Sequence, residues 1–211
     1  ALGWAGMNEV PVVITLYQRC GPSTGMPTRH EQGDLLSAVF GGHGEFPKIV
    51  VASGDVEEAF YDAALALNYA ERYQLPVIHL LDKCLANSIQ TVPKLRVDSI
   101  RIKRRLLPQE EHGEYKRFKF TESGVSPMAR LGDPHLFWGT GNEHDEFGHV
   151  TEDPVTRVMM MEKRMKKLRL AAEEIPEEEK VRVYGNDSAE VGIVGWGSTK
   201  GPILDAMEVL K

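Results

Sequence analysis

Residues 48–82 read KIVVASGDVEEAFYDAALALNYAERYQLPVIHLLD, and their order decides the fold. Lys48–Ala52 and Pro76–Leu81 are short apolar runs bounded by Pro, Gly or Asp, the signature of buried strands. Between them, Asp55–Tyr73 is too long for a strand. It places Phe60, Ala63, Leu67 and Ala70 at helical spacing, as one face of a helix. Asp55 and Glu58 have the spacing of a capping box, which sets the helix start. A strand, a crossover helix and a second strand make a parallel pair.

The same alternation extends upstream. Ala1–Asn8 is small and apolar and reads as the tail of a buried helix, and Pro11–Tyr17 as a third buried strand. A further helix is expected over Glu31–Phe40, carrying Leu35, Leu36, Val39 and Phe40 and ending at Gly41-Gly42. The fold class is therefore α/β: a parallel sheet with helices on both faces, whose ligands bind beyond the carboxyl ends of the strands.

Downstream the pattern loosens. Val97–Leu107 is basic and reads as an extended connector, and Phe118–Thr151 as an ordered loop rich in Gly, Pro and His. Pro154–Glu174 reads as an amphipathic helix. Its stripe of Val158, Met161, Met165, Leu168 and Ala172 is expected to pack on the core, with Lys163, Arg164, Lys166, Lys167 and Arg169 on the polar face. Glu173–Lys180 is a charged breaker and linker, followed by an expected strand at Glu190–Trp196, a loop at Gly197–Thr199 and a helix over Gly201–Lys211. Both ends read as cut, because the unit before the first strand and the strand after the last helix are missing from the pattern.

Composition narrows the function. The 211 residues, 42% hydrophobic, suit one α/β core and part of a second. A net charge of -6 gives no support for a nucleic-acid or anionic-membrane partner. No apolar run approaches the roughly 20 residues that span a bilayer. The two cysteines, Cys20 and Cys84, read as reduced thiols of a cytoplasmic protein, and two thiols do not ligate a four-cysteine cluster.

The stretch most open to chemistry is Gln18–Glu31, QRCGPSTGMPTRHE, just past the first strand. Gly21 and Gly25 permit tight turns and close approach of a ligand. Ser23, Thr24 and Thr28 offer hydroxyls, and Arg19 a planar guanidinium suited to a carboxylate. Thr28 and Glu31 have capping-box spacing, which would start the next helix at Thr28 and aim its amides at the same place. The plainer alternative is that Thr28 only caps a helix and Arg19 pairs with a nearby acid. No G-x-G-x-x-G or P-loop lysine pattern supports nucleotide phosphate binding. Gly141–His149 (GNEHDEFGH) holds His144, Asp145, Glu146 and His149, but the spacing is not that of a helical zinc motif, and an ordered loop network is expected. His43 is read as structural or as a ligand contact, and Asp82, at the end of a strand, as a helix or loop cap with ligand contact as the alternative.

The runs RCGPSTGMPT (19–28), EQGDLLSAVFGGHGEFPKIVVA (31–52), VEEAFYDAALALNYAERYQLPVIHLLD (56–82), TESGVSPMARLG (121–132) and GTGNEHDEFGHVTEDPVTRVMMMEKRMKKL (139–168) resemble the α subunit of 2-oxoacid:ferredoxin oxidoreductases, nearly end to end and in order. One departure is Cys20, where the family often has Gly. The resemblance implies a pyrimidine-type thiamine-diphosphate-binding domain over residues 1–120, lacking its N-terminal part. It implies a loop-rich connector and helix over 121–180, and the start of a transketolase-C-terminal-like domain over 181–211. It implies oxidative decarboxylation of a 2-oxoacid, pyruvate or 2-oxoglutarate among them, to an acyl-CoA with electrons passed to ferredoxin. It further implies thiamine diphosphate, Mg2+ and a [4Fe-4S] cluster carried mainly by a β subunit, with coenzyme A as co-substrate. From the family's R-x-G-P-S-T-G-x-P-T loop it implies that Arg19 and Thr28 contact the oxoacid. The family's Tyr-Pro-Ile-Thr-Pro motif is not present in these residues, no catalytic residue or metal ligand is assigned, and the isolated piece is expected to be inactive. The alternative is a non-catalytic α/β docking or structural module.

Overall fold

The computed structural model describes residues 1–109, 114–186 and 188–210. Helix α1 (Leu2–Met7) leads into strand β1 (Val12–Gln18), followed by α2 (Leu35–Phe40), β2 (Ile49–Ala52), α3 (Val56–Tyr73), β3 (Pro76–Asp82) and α4 (Lys83–Asn87). After a long irregular stretch come α5 (Pro154–Glu174), α6 (Glu177–Lys180) and α7 (Lys200–Val209). The three strands form one parallel sheet in the order β1-β3-β2. Residues facing each other across the central strand alternate between the two faces. Val13, Val77, Ile49 and Val51 pack with Ala66, Tyr69, Ala70 and Tyr73 of α3 and Ala171 of α5. Leu16, Ile78, Leu80 and Val50 pack with Ala38 of α2 and Leu2 of α1. All seven residues of β3 are buried, as a central strand covered on both faces requires.

Helix α3 starts where expected: the Asp55 carboxylate accepts the Glu58 N–H at 2.8 Å. Its buried face differs from expectation. Asp62, Ala66, Tyr69, Ala70 and Tyr73 face inward, whereas Ala63 and Leu67 are exposed. The helix is turned by about one residue. Two small alanines then sit against the sheet, two tyrosines supply the buried area, and Asp62 reaches Ser53.

Helix α5 has the expected bounds but is turned by about one residue, so that Leu168 of the expected stripe still packs on the core while Lys163, Arg164 and Lys167 are buried beside it. Met160, Lys163, Arg164, Lys167 and Ala171 are buried, while Val158 and Ala172 are exposed. The cause is Glu9, a fully buried carboxylate in the turn before β1. Lys163 donates to it at 2.6 and 2.8 Å, and Lys167 forms a close ion pair with it. Arg117 donates to the Glu9 carbonyl at 2.7 Å and to the Gln74 side chain at 3.1 Å, and Lys167 also donates to the Gln74 carbonyl at 3.0 Å. Burial alone would raise the Glu9 pKa, but Lys163, Lys167 and Arg117 outweigh it and hold the carboxyl far below the usual range. Glu9 and Gln74 precede β1 and β3, so this cluster pins the amino-terminal edge of the sheet to α5.

Three buried cations surround that one carboxylate, and burial lowers the proton affinity of each, Lys167 among them. Burial, against the attraction of Glu9 and with Lys163 alongside, pulls its pKa from 10.5 down to about 7. Below about pH 7 the folded chain therefore carries the whole cost of keeping this ammonium charged. Between about pH 7 and 10.5 it binds fewer protons than the unfolded chain, so stability rises with pH. The thermal midpoint of the full-length subunit is expected to gain a positive slope from about pH 7 to 9 that Lys167→Met removes. Parallel melting curves for the two proteins would refute the assignment.

Two further expectations change. The helix expected over Glu31–Phe40 begins only at Leu35, with Asp34 at its amino end. Glu31 bonds back to the Gly21 N–H instead, at 3.1 Å, so Thr28 and Glu31 form no capping box. Residues 190–196 form no strand, because they pair with none of the three strands, and Val191, Ile193 and Val194 are exposed. The following turn, Gly197–Thr199, is a single 3-10 turn, and α7 follows directly. The C-terminal segment is held to α3 by charge: Lys200 pairs with Asp55 at 2.5 Å and closely with Glu58, and Arg182 pairs with Glu58 and Asp62.

Candidate anion-binding loop

Gln18 and Asp82 are register partners at the carboxyl ends of β1 and β3. The loop leaving Gln18 runs over this end of the sheet. It folds on itself through the pairing of Cys20 with Met26: the Met26 N–H donates to the Cys20 carbonyl at 2.9 Å. The tip contains a cis Gly21-Pro22 bond, with Ser23 and Gly25 at φ 54° and 49°. Gly25 is required there, since a Cβ would lie 2.2 Å from the Cys20 carbonyl oxygen. Met26-Pro27-Thr28-Arg29 closes as a β-turn, the Arg29 N–H donating to the Met26 carbonyl at 2.9 Å with Pro27 in the position that favours proline.

The two expected contact residues both lie in this loop. The Cys20 N–H donates to the Arg29 carbonyl at 3.2 Å, so the segments that follow Arg19 and Thr28 run side by side. Arg19 and Thr28 are both exposed. Thr28 occupies the β-turn rather than a helix cap, which sets aside the plainer reading of its role. Among the described residues no acid pairs with Arg19. The loop presents a guanidinium and a hydroxyl, chemistry for a planar anion, on the side of the sheet where α/β proteins bind ligands.

What holds the loop was not legible beforehand. The Gln18 side chain accepts the Asp34 N–H at 3.3 Å, Glu31 accepts the Gly21 N–H, and Gln32 donates to Asp82 at 3.2 Å. Asp82 also caps α4, accepting the Leu85 N–H at 2.9 Å, as its position after a strand suggested. Burial alone would raise its pKa, but the Leu85, Ser198 and Gln32 donors keep the carboxylate below its ordinary value. Partial desolvation, reinforced by Glu31, pushes the Cys20 thiol up. Cys20 is accordingly expected to stay a thiol and to alkylate slowly at neutral pH. Measured alkylation rates against pH that placed its pKa below the ordinary cysteine value would contradict this.

The remaining candidates lie elsewhere. In the 141–149 stretch every acid is committed: Glu143 to Arg157 and Arg164, Asp145 to the Phe147 and His149 N–H groups, Glu146 to Lys116. Its Arg164 and Arg157 bonds hold Glu143 down to about 2 despite partial burial. His144 is buried against Phe118, its Nδ1 3.2 Å from the Asn142 carbonyl, and His149 packs with a tilted ring against Trp138. His43 lies exposed in the turn after α2. Ser53, Asp62 and His79 form a buried trio in which the hydroxyl bridges the other two, at 2.8 and 2.7 Å. The imidazole is not between the other two groups, so this is a core network rather than a nucleophile with its base. Among the described residues no three His, Cys, Asp or Glu side chains are placed to hold a metal ion. The loop's guanidinium and hydroxyl donors suit an oxyanion, the carboxylate of an organic acid among them.

Comparison with known proteins agrees with this fold. The family model "pyruvate flavodoxin/ferredoxin oxidoreductase, thiamine diP-bdg" matches residues 1–164. The chain is 56% identical over 209 residues to the 2-oxoacid:ferredoxin oxidoreductase 1 α subunit of Sulfurisphaera tokodaii, covering 98% of this chain and 33% of that protein. It is 31% identical over 211 residues to the 2-oxoglutarate synthase subunit KorA of Methanocaldococcus jannaschii, covering 55% of that protein. Among solved structures, 2-oxoglutarate:ferredoxin oxidoreductase from Magnetococcus marinus, with 2-oxoglutarate, coenzyme A and succinyl-CoA bound, superposes with a TM-score of 0.85 at 38% identity. That match covers 99% of this chain and 36% of the other. The chain thus spans about a third of the first of these relatives.

Proposed function

The chain belongs to the pyruvate flavodoxin/ferredoxin oxidoreductase family, in its thiamine-diphosphate-binding part, and from that premise we propose that it supplies the oxoacid-gripping loop of a 2-oxoacid:ferredoxin oxidoreductase α subunit. The whole enzyme would convert a 2-oxoacid and coenzyme A to an acyl-CoA, with electrons leaving to ferredoxin. Residues 1–120 are assigned to a pyrimidine-type domain, 121–180 to a connector, and 181–211 to the start of a transketolase-C-terminal-like domain. Mg2+, a [4Fe-4S] cluster and the diphosphate site are assigned mainly to a β subunit, and the assembly to the cytoplasm. No helix among the described residues is long and apolar enough to cross a membrane.

One observation carries this reading. A loop beyond the carboxyl ends of β1 and β3 is braced by its own backbone and by Gln18, Glu31 and Gln32, yet leaves Arg19 and Thr28 exposed. Arg19 would donate two parallel hydrogen bonds to the substrate carboxylate. Thr28 would donate its hydroxyl to the same carboxylate or to the keto oxygen. Thiamine diphosphate, when bound, supplies the nucleophile and electron sink. The chain's own task is to hold the oxoacid with its keto carbon presented, so that attack is effectively unimolecular. A strong grip on the carboxylate stabilises the bound substrate as well as the transition state, so Arg19 should act mainly through KM. A non-catalytic docking module remains the alternative, and it leaves the braced loop without a purpose.

The test uses the complete α subunit with its β partner. Thr28→Val is expected to lower kcat/KM for the oxoacid roughly tenfold, the worth of one hydrogen bond to a charged or polarised group, with an unchanged thermal midpoint. The corresponding aldehyde, which lacks the carboxylate, should be a poor substrate. A normal kcat/KM in Thr28→Val, or equal use of the aldehyde, would remove the loop from the site.

A further inference from the structure

Asp82 and Gln32 stand between the loop and a distant part of the chain. The Gln32 amide nitrogen uses both of its N–H groups. One donates to the Asp82 carboxylate at 3.2 Å, the other to the Trp196 carbonyl at 2.8 Å. The same Asp82 oxygen accepts the Ser198 N–H at 2.7 Å. Asp82 is 1% exposed, so these bonds are shielded from competing water. Between Trp196 and Ser198, Gly197 holds φ +64°, and a Cβ there would lie 2.6 Å from both the Asp82 oxygen and the Gln32 nitrogen. The turn at 196–198 is therefore fitted to this one carboxylate–amide pair, with no room for a side chain. On the other side, Gln32 lies one residue beyond Glu31, which holds Gly21. It lies two residues before Asp34, which Gln18 holds, and Gln18 is the residue before Arg19.

We propose that Gln32, seated on Asp82 and on the Trp196–Ser198 turn, is a positioning residue for the oxoacid loop, so that the placement of the C-terminal segment sets how well Arg19 and Thr28 meet the substrate. This rests on the proposed function. It adds that substrate grip is not built by the loop alone. The segment after the 121–180 connector is joined to α3 by the Lys200 and Arg182 ion pairs and to the loop by Gln32. A displacement of that segment moves the floor under Arg19. Neither Gln32 nor Gly197 touches substrate in this scheme.

The experiment measures oxoacid KM, kcat and thermal midpoint in the complete α subunit with its β partner, for wild type, Gln32→Ala, Gly197→Ala and the double variant. Each single variant is expected to raise the oxoacid KM roughly tenfold with little change in kcat or in the KM for coenzyme A, since misplacement by a fraction of an ångström weakens grip without altering the chemistry. The double variant is expected to match the single Gln32→Ala, because Gly197 acts through Gln32. An unchanged KM in Gln32→Ala, with or without a lower thermal midpoint, overturns the inference and leaves a merely structural contact. Multiplying effects in the double variant overturn it too. A wild-type complex that turns over no oxoacid overturns the proposed function itself, and the inference with it.

Discussion

Glu9→Gln is expected to cost the full-length subunit about 3–5 kcal/mol of stability, because it leaves buried cations without their anion. The ammonium groups of Lys163 and Lys167 and the Arg117 guanidinium are 2%, 0% and 1% exposed as residues, and Glu9 is their one buried carboxylate. A neutral amide keeps the shape and some hydrogen bonding but no charge, and its own N–H groups would face the ammonium hydrogens. The thermal midpoint should fall with it, by fewer degrees per kcal/mol than in a small domain because the full-length relatives are about three times as long as this chain. The pair of shifts also fixes an acid limit. The Glu9 carboxyl is held far below its unfolded value of 4.5, so its contribution is complete above that pH and disappears as the pH falls through the folded value. Thermal melts of wild type and Glu9→Gln near neutral pH measure the effect. A loss under about 1 kcal/mol would mean the cluster is far more hydrated than its burial implies.

Arg19→Lys carries the larger functional effect. In the assembled enzyme it is expected to raise the oxoacid KM and lower kcat/KM by roughly 10- to 100-fold, the range for losing one strong bond of a bidentate pair. Lysine keeps the charge, so long-range attraction survives and the loss reports geometry alone. Arg19 is exposed and pairs with no acid among the described residues, so folding should be untouched. Steady-state kinetics with a fixed coenzyme A concentration would measure this, and unchanged kinetics would take Arg19 out of the site.

The parts of the fold that were legible are those decided locally. KIVVA and PVIHLL announce themselves as strands by composition, and Asp55 marks a helix start that the structure keeps. What stayed hidden depends on distant partners. The buried face of α5 lies one residue away from its apolar stripe because lysine and arginine are polar by type, yet their long apolar stems pack well once a buried acid takes their charge. That acid lies 154 residues away from Lys163. Helix α2 begins late because Glu31 found Gly21, and Glu190–Trp196 has a strand's composition without a neighbouring strand to complete its hydrogen bonds.

The site divides the same way. The glycines, prolines and hydroxyls around Arg19 and Thr28 mark a candidate ligand loop within fourteen consecutive residues. Nothing local marks Gln32, whose partners lie 50 and 164 residues away, and Asp82 is marked only by its place at a strand end, as a cap or a ligand contact.

The most direct test of the whole account is oxoacid- and coenzyme A-dependent reduction of a redox dye by the complete α subunit with its β partner, with and without thiamine diphosphate. Reduction that requires all three is the expected result, and a panel of oxoacids would then identify the preferred one. Absence of reduction in a complex shown to contain its cluster and its cofactor would contradict the account and leave the chain as a non-catalytic module.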